Sequence, residues 1–378
     1  MEVPLLDLKP QFETLREEIY LAVHEVIESQ HFVLGPQVEG LETELARFVD
    51  AAFAIGCASG TDALILSLAA LDVGNGDHVL TTPFSFSSTA SCAYRVGARP
   101  VFADILPDTF SLDPEKIEAA LTPRTRVVIP VHLFGQCADM DPILEIAERR
   151  GLAVLEDAAQ ALSATYDSER LGRRVKAGAI GAIGAYSFFP SKNLGGFGDG
   201  GMTVCSEPDL AGKLRKLRTH GGLQAYEHEM VGWNSRLDAL QAAVLRIKLP
   251  HLDAWSRGRV ENADRYDRWF RESGLTDSGR VTLPHRSPRS SHIFNQYTIR
   301  VHDRDGLRRH LQSRGIGHSV YYPIPLHLEP CFSDLGHREG DFPEAEKASR
   351  EVVSLPVFPE LDTGRQEKVV QAVVDFYR

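Results

Sequence analysis

The chain has 378 residues, 43% hydrophobic and 25% charged, with a formal net charge of −11. Its length exceeds the roughly 250–300 residues over which a single core grows, so two domains of a soluble globular chain are expected. The acidic balance argues against a general affinity for nucleic acid or an acidic membrane, though a small site can still be locally positive.

Residues 1–11 carry charges and a proline where a signal peptide needs an apolar run. No stretch approaches about 18 uninterrupted apolar residues, so no membrane span is expected. From about residue 50 to 205, short apolar runs alternate with helical patterns. Leu64, Leu68 and Leu71 have helical spacing over 61–71, and the G-N-G-D turn at 74–77 ends that helix. A strand over 79–82, a helix over 86–96 and a strand over 100–103 follow. Asp113-Pro114 pairs an N-cap residue with a proline at the first helical position. VVIPV at 127–131 reads as a buried strand. Asp141-Pro142 repeats the capping device and predicts a helix running to Gly151, with a strand over 152–156. This alternation predicts a mainly parallel sheet covered on both faces. After Trp233 the texture changes. A helix over 239–249 is broken or kinked at Pro250, and 260–270 reads as a charged, surface-like helix. A strand over 296–301 and helices over 304–314 and 366–377 predict a smaller α+β domain. Residues 1–250 are assigned to the large α/β domain with an N-terminal arm, and 251–378 to the small one.

Cys57, Cys92, Cys137, Cys205 and Cys331 are widely spaced, odd in number and form no C-x-x-C pair. No zinc site or disulfide framework is expected, and a reducing cytoplasm fits.

Four pieces carry chemistry. Ala58-Ser59-Gly60-Thr61-Asp62 leads into a helix, whose free N–H groups and positive dipole end can hold an anion; the same turn also reads as a plain N-cap. Asp157 follows a buried strand, where open α/β sheets bind ligands. Its carboxylate can keep a pyridine nitrogen cationic, and Gln160 can donate to a phenolic oxygen; an N-cap role is the bland alternative. Ser187 to Gly201 takes a strand into a glycine-dense loop with one lysine, Lys192. A lysine in an apolar pocket or near cations becomes a nucleophilic amine, whereas a solvated loop would leave it inert. Phe86, in Pro83-Phe84-Ser85-Phe86, can stack on a planar group or simply fill core.

Taken in chain order, the turn, Phe86, Asp157 and Lys192 match the fold-type I pyridoxal-phosphate enzymes. The sequence closely resembles the DegT/DnrJ/EryC1/StrS family of sugar aminotransferases over almost its whole length. The resemblance runs from PLLDLKPQ and FVLGPQVEGLETELARF through GCASGTDAL, PFSFSSTA, PVHLFGQCADMDPI, EDAAQA and SFFPSKNLGGFGDGG. It ends with RTHGG, GWNSRLDALQAAVLRIKL, YYPIPLHLEPCF and SLPVFPEL. It implies an aspartate-aminotransferase-like fold with a mainly parallel seven-stranded sheet, and a homodimer with active sites at the subunit interface. It implies Lys192 as the Schiff-base lysine, Asp157 at the ring nitrogen, Gln160 at the phenolic oxygen and Phe86 on the ring. Ser59, Gly60, Thr61 and Ser187 then hold the phosphate, and Asn234 reaches the neighbouring subunit's cofactor. Arg236, Tyr321, Tyr322 and His327 are candidates for the sugar nucleotide, with local packing or exposure as the alternative.

Relatives that carry histidine at the lysine position dehydrate instead; this chain keeps Lys192. Ser187-Phe188-Phe189-Pro190 follows members that aminate C3, where C4-aminating members often read Ser-Phe-His. The expected reaction is ping-pong, with pyridoxamine phosphate between two half-reactions. L-glutamate is the amino donor and a dTDP-linked 3-keto-6-deoxyhexose the acceptor. The alternatives are a C4 or UDP-linked keto-sugar aminotransferase, another pyridoxal-phosphate reaction, or a regulatory homologue that only binds cofactor or sugar nucleotide.

Overall fold

The computed structural model describes residues 2–224 and 226–378. Two helices come first, α1 (Lys9–Ser29) and α2 (Pro36–Val49). In α2 the residues Val38, Leu41, Leu45 and Val49 are spaced for one face and are buried. The alternating region follows: β1 (Phe53–Cys57), α3 (Gly60–Ala70), β2 (His78–Thr81), α4 (Ser88–Arg95), β3 (Arg99–Phe102), α5 (Pro114–Ala120), β4 (Thr125–Ile129), α6 (Met140–Arg150) and β5 (Ala153–Asp157). A hairpin of β6 (Thr165–Ser168) and β7 (Arg173–Lys176) precedes β8 (Ile183–Ser187), β9 (Gly201–Cys205) and α7 (Pro208–Leu217).

Seven strands form one sheet in the order β1-β9-β8-β5-β4-β2-β3. Only β9 runs antiparallel to its neighbours; the β2, β3, β4, β5 and β8 pairs are parallel. Helices cover both faces, which explains why these strands read as apolar runs without alternation. The carboxyl ends of β1, β5 and β8 share one edge. Because β9 is reversed, its first residue, Gly201, pairs with both Cys57 and Ser187 at that edge. Functional groups are therefore concentrated where open parallel sheets bind ligands.

Further on come α8 (Ala239–Lys248), α9 (Leu252–Glu272), β10 (Val281–Thr282), β11 (Tyr297–Val301), α10 (Arg304–Ser313), α11 (Pro343–Glu351), β12 (Val352–Leu355) and α12 (Thr363–Tyr377). Pro250 sits in a single tight turn between α8 and α9. The order β10-β11-β12 makes a small antiparallel sheet. A second core of Tyr266, Phe270, Tyr297, Ile299 and Phe358 joins it to α9 and α12. Val3, grouped by sequence with 1–250, packs into this second core and bridges to Ile316.

Two local expectations change. Asp113 caps α5 as predicted, accepting from the Glu115 N–H at 2.9 Å. Asp141 does not cap α6, which begins a residue earlier. Its carboxylate instead accepts from the Glu169 N–H at 2.9 Å and pairs with Arg289 at 3.1 Å, tying α6 to the hairpin. The segment 260–270 is a surface helix on one face only: Glu261, Asp264 and Arg268 are exposed, while Asn262, Ala263, Tyr266, Asp267 and Phe270 are buried.

Candidate active site

At the shared strand edge, β1 turns through Ser59 into α3. Ser59 is extended, and its hydroxyl accepts from the Asp62 N–H at 3.1 Å, capping the helix. Gly60 and Thr61 open α3, where backbone N–H groups lack intrahelical acceptors. A Cβ on Gly60 would lie 2.7 Å from the Ser187 Cβ, so glycine lets the end of β8 touch the turn. Thr61 shares a hydrogen bond with Ser88 at 2.6 Å, tying the turn to α4. Ser235, which the sequence reading passed over, donates to Asp62 at 2.7 Å and fastens the N-S-R-L-D segment to the same turn.

Asp157 ends β5 and is 6% exposed. One carboxylate oxygen accepts from the Thr89 hydroxyl at 2.7 Å, the other from the Ala159 N–H at 3.2 Å. Gln160 is held by its neighbours: its oxygen accepts from the Phe134 N–H at 2.7 Å and its amide donates to the Tyr322 hydroxyl at 3.0 Å. The adjacent Glu156 faces away. It is fully buried and accepts from the N–H groups of Gly178, Ile180 and Gly181 at 2.7, 2.7 and 2.6 Å, and from His132 at 2.7 Å.

Lys192 follows a turn closed by its N–H to the Phe189 carbonyl at 2.8 Å. Burial lowers its amine to about 8, against the opposing pull of the Asp157 charge. The glycine loop beyond it is pinned by Lys248, whose ammonium donates to the Gly195 carbonyl, and by Gln241, which accepts from the Phe197 N–H at 2.7 Å.

These groups meet in a cavity of about 470 Å³. Ser59, Gly60, Thr61 and Ser187 line one part, and Asp157, Gln160 and Lys192 another. Phe86, Tyr321 and Tyr322 wall it, and Phe86 stays 58% exposed, a large ring with an open face. Thr89, Ser85, Asp199 and Gln296 also line the cavity; the sequence reading did not select them.

Three predicted residues lie elsewhere. His327 is 2% exposed and bonded to Glu346 at 3.1 Å, packed on Phe342 rather than on the cavity. Asn234 is exposed, and Arg236 lines a separate groove with His220 and His228. A wider groove of about 1100 Å³ holds none of the predicted residues, and its Arg286, Arg300 and Arg304 are paired with Asp267, Glu351 and Asp305. Among the described residues no helix is long and apolar enough to cross a membrane, and no acidic, histidine or cysteine cluster is placed to hold a metal.

The model of the DegT/DnrJ/EryC1/StrS aminotransferase family matches residues 13–374. A Geobacillus stearothermophilus protein named pleiotropic regulatory protein is 48% identical over 378 residues, covering 100% of this chain and 99% of the relative. A Streptomyces venezuelae dTDP-3-amino-3,4,6-trideoxy-alpha-D-glucose transaminase is 44% identical over 371 residues, covering 98% and 95%. The crystal structure of S. venezuelae DesV in complex with a ketimine intermediate matches with a TM-score of 0.93 at 43% identity, covering 99% of this chain and 98% of that one.

Proposed function

The chain belongs to the DegT/DnrJ/EryC1/StrS aminotransferase family and is a pyridoxal-phosphate-dependent sugar aminotransferase; from that premise we propose that it carries the amino group of L-glutamate to a dTDP-linked 3-keto-6-deoxyhexose. The observation that carries this is the joining of Lys192, Asp157, Gln160 and the 59–61 turn in one cavity. The 44% identity to a dTDP-3-amino-sugar transaminase and the Ser187-Phe188-Phe189-Pro190 run support the finer substrate.

The residues present fit the cofactor. Gly60 keeps the anion-binding turn open to Ser187, Phe86 offers an uncovered ring face, and Lys192 is an amine of lowered basicity beside a buried carboxylate. In this reading Ser59, Gly60, Thr61 and Ser187 hold the phosphate. Asp157 would face the ring nitrogen, Gln160 the phenolic oxygen, and Phe86 would stack on the ring. When bound, pyridoxal phosphate supplies the carbonyl carbon that takes up an amino group and the ring that draws off its electrons. Lys192 would hold the cofactor through its amine, and its Nζ would carry the substrate proton; a group near 8 exchanges protons readily at neutral pH. Asp157 keeps the ring cationic, and its two hydrogen bonds fix its direction. Tyr321 and Tyr322 wall the sugar side and help exclude water.

We further read the enzyme as a cytoplasmic homodimer. Tyr20, Leu21 and Ile27 on α1 are 52%, 63% and 44% exposed, and Leu223 and Val231 are 63% and 89% exposed. In such a dimer the exposed Asn234 and the half-buried Arg236 serve the neighbouring site. A solution mass of one chain would remove that part of the reading. The regulatory name of the 48% identical relative is the second reading, and the complete residue set around Lys192 favours catalysis.

The test supplies glutamate with a panel of nucleotide-linked 3-keto and 4-keto sugars and follows amination by mass spectrometry. Turnover is expected with the dTDP-3-keto sugar. Lys192→Ala should abolish turnover and the visible absorbance of the bound cofactor. Full activity in that variant would end the assignment.

A further inference from the structure

Beside Asp157, along the cavity wall, runs a short chain of hydroxyls with a fixed direction. Thr89, in the first turn of α4, is fully buried, and its hydroxyl lies 2.7 Å from one Asp157 oxygen. Ser85, 3% exposed in the loop before α4, lies 2.8 Å from that same hydroxyl. A carboxylate only accepts hydrogen bonds, so the single Thr89 proton points at Asp157. Thr89 is then an acceptor toward Ser85, and Ser85 must donate. The order Ser85 to Thr89 to Asp157 is the arrangement in which all three are satisfied. The carboxylate receives its other bond from the Ala159 N–H, so both oxygens are tethered.

We propose that Thr89 is a positioning residue that fixes the Asp157 carboxylate toward the cofactor ring, with Ser85 fixing the direction of the Thr89 hydroxyl. The inference rests on the reading of Asp157 as partner of the ring nitrogen. Among the described residues no arginine or lysine forms an ion pair with Asp157; a neutral hydroxyl therefore orients the carboxylate without neutralising the charge that the ring nitrogen needs. A cation in its place would compete with the ring. Placing the donor on α4 has a second effect. Phe86 lies three residues before Thr89, so one short segment sets both the ring face and the carboxylate behind it.

Three substitutions test this. Thr89→Val keeps shape and removes the donor, Thr89→Ser restores the hydroxyl, and Ser85→Ala removes only the upstream donor. Each apo-protein is titrated with pyridoxal phosphate, reading the dissociation constant and the visible absorbance and circular dichroism of the bound cofactor. Thr89→Val is expected to weaken binding roughly tenfold or more, the usual effect of losing a hydrogen bond to a charged group, and to change the bound spectrum. Thr89→Ser should stand close to the unsubstituted protein, and Ser85→Ala between the two. Melting of the apo-proteins separates a fold effect. The inference is overturned if Thr89→Val binds cofactor as tightly as Thr89→Ser with the same spectrum, or if its weakened binding is matched by an apo-protein that no longer folds while Ser85→Ala binds normally. If the unsubstituted protein binds no pyridoxal phosphate, the functional reading itself fails, which is a different result.

Discussion

Glu156 and Asp157 are neighbours in sequence with opposite duties. Four donors saturate Glu156, three of them backbone N–H groups of residues 178–181. His132 accepts from the Ala138 N–H through Nδ1 at 3.1 Å, so its proton is on Nε2 and points at Glu156. Glu156→Gln would set an amide NH₂ against these donors. It should lower the unfolding free energy by about 3 kcal/mol or more, measured by urea denaturation of the apo-protein. An unchanged midpoint would mean that the buried carboxylate is not needed. The sequence places Asp157 correctly at a strand end because a short apolar run closed by a carboxylate is a local signal. It says nothing of Glu156, whose partners come from segments that only the fold assembles. Thr89 was hidden for the same reason: its meaning depends on a carboxylate far along the chain. His327 shows the reverse error, since a histidine next to an aromatic loop looked available and is spent on Glu346.

The helices and parallel strands between 60 and 157 were legible because their apolar spacing and proline signals are local. The antiparallel β9 and the two N-terminal helices were not read, and α9 was read for its exposed face alone. Glu261, Asp264 and Arg268 are solvated as their charge suggests, yet Arg259 is 5% exposed and donates to the carbonyls of Phe294 at 3.1 Å and Val357 at 2.6 Å. Burial lowers this guanidinium to about 10, against the opposing pull of the Glu360 charge, and the carbonyls accept its protons. Sequence patterning counts arginine as a surface residue and cannot see carbonyls that arrive from loops. Arg259→Leu should strand those carbonyls and cost about 3 kcal/mol in stability, with cofactor binding by the folded fraction kept. Full stability in the Leu variant would show that the helix is held by Tyr266 and Phe270 alone.

Across the whole molecule, buried thiols begin the loss of stability at alkaline pH. Burial raises Cys57, Cys92, Cys137 and Cys205 above the ordinary 9.0, the last two to about 12 and about 11. Their folded pKa values lie above the unfolded one, so their stabilisation is complete below about pH 9 and is lost as pH rises through the folded values. Lys192 and Lys248, both lowered to about 8, act oppositely between about 8 and 10.5. Four thiols outweigh two amines, so urea midpoints of the apo-protein should fall as pH is raised from about 9 to 10, before the tyrosines that burial also raises, such as Tyr94, Tyr166 and Tyr322, add to the fall. Replacing the four cysteines by alanine should flatten that fall; an equal fall in the replaced protein would refute the attribution. The bridge from Val3 to Ile316 has another consequence, one of timing. On the ribosome the first of these residues waits for the second through about 310 additions, roughly 15 to 60 seconds at ordinary translation speed. During that interval an apolar segment has no seat, and the second core can close only after β12 and α12 have been made.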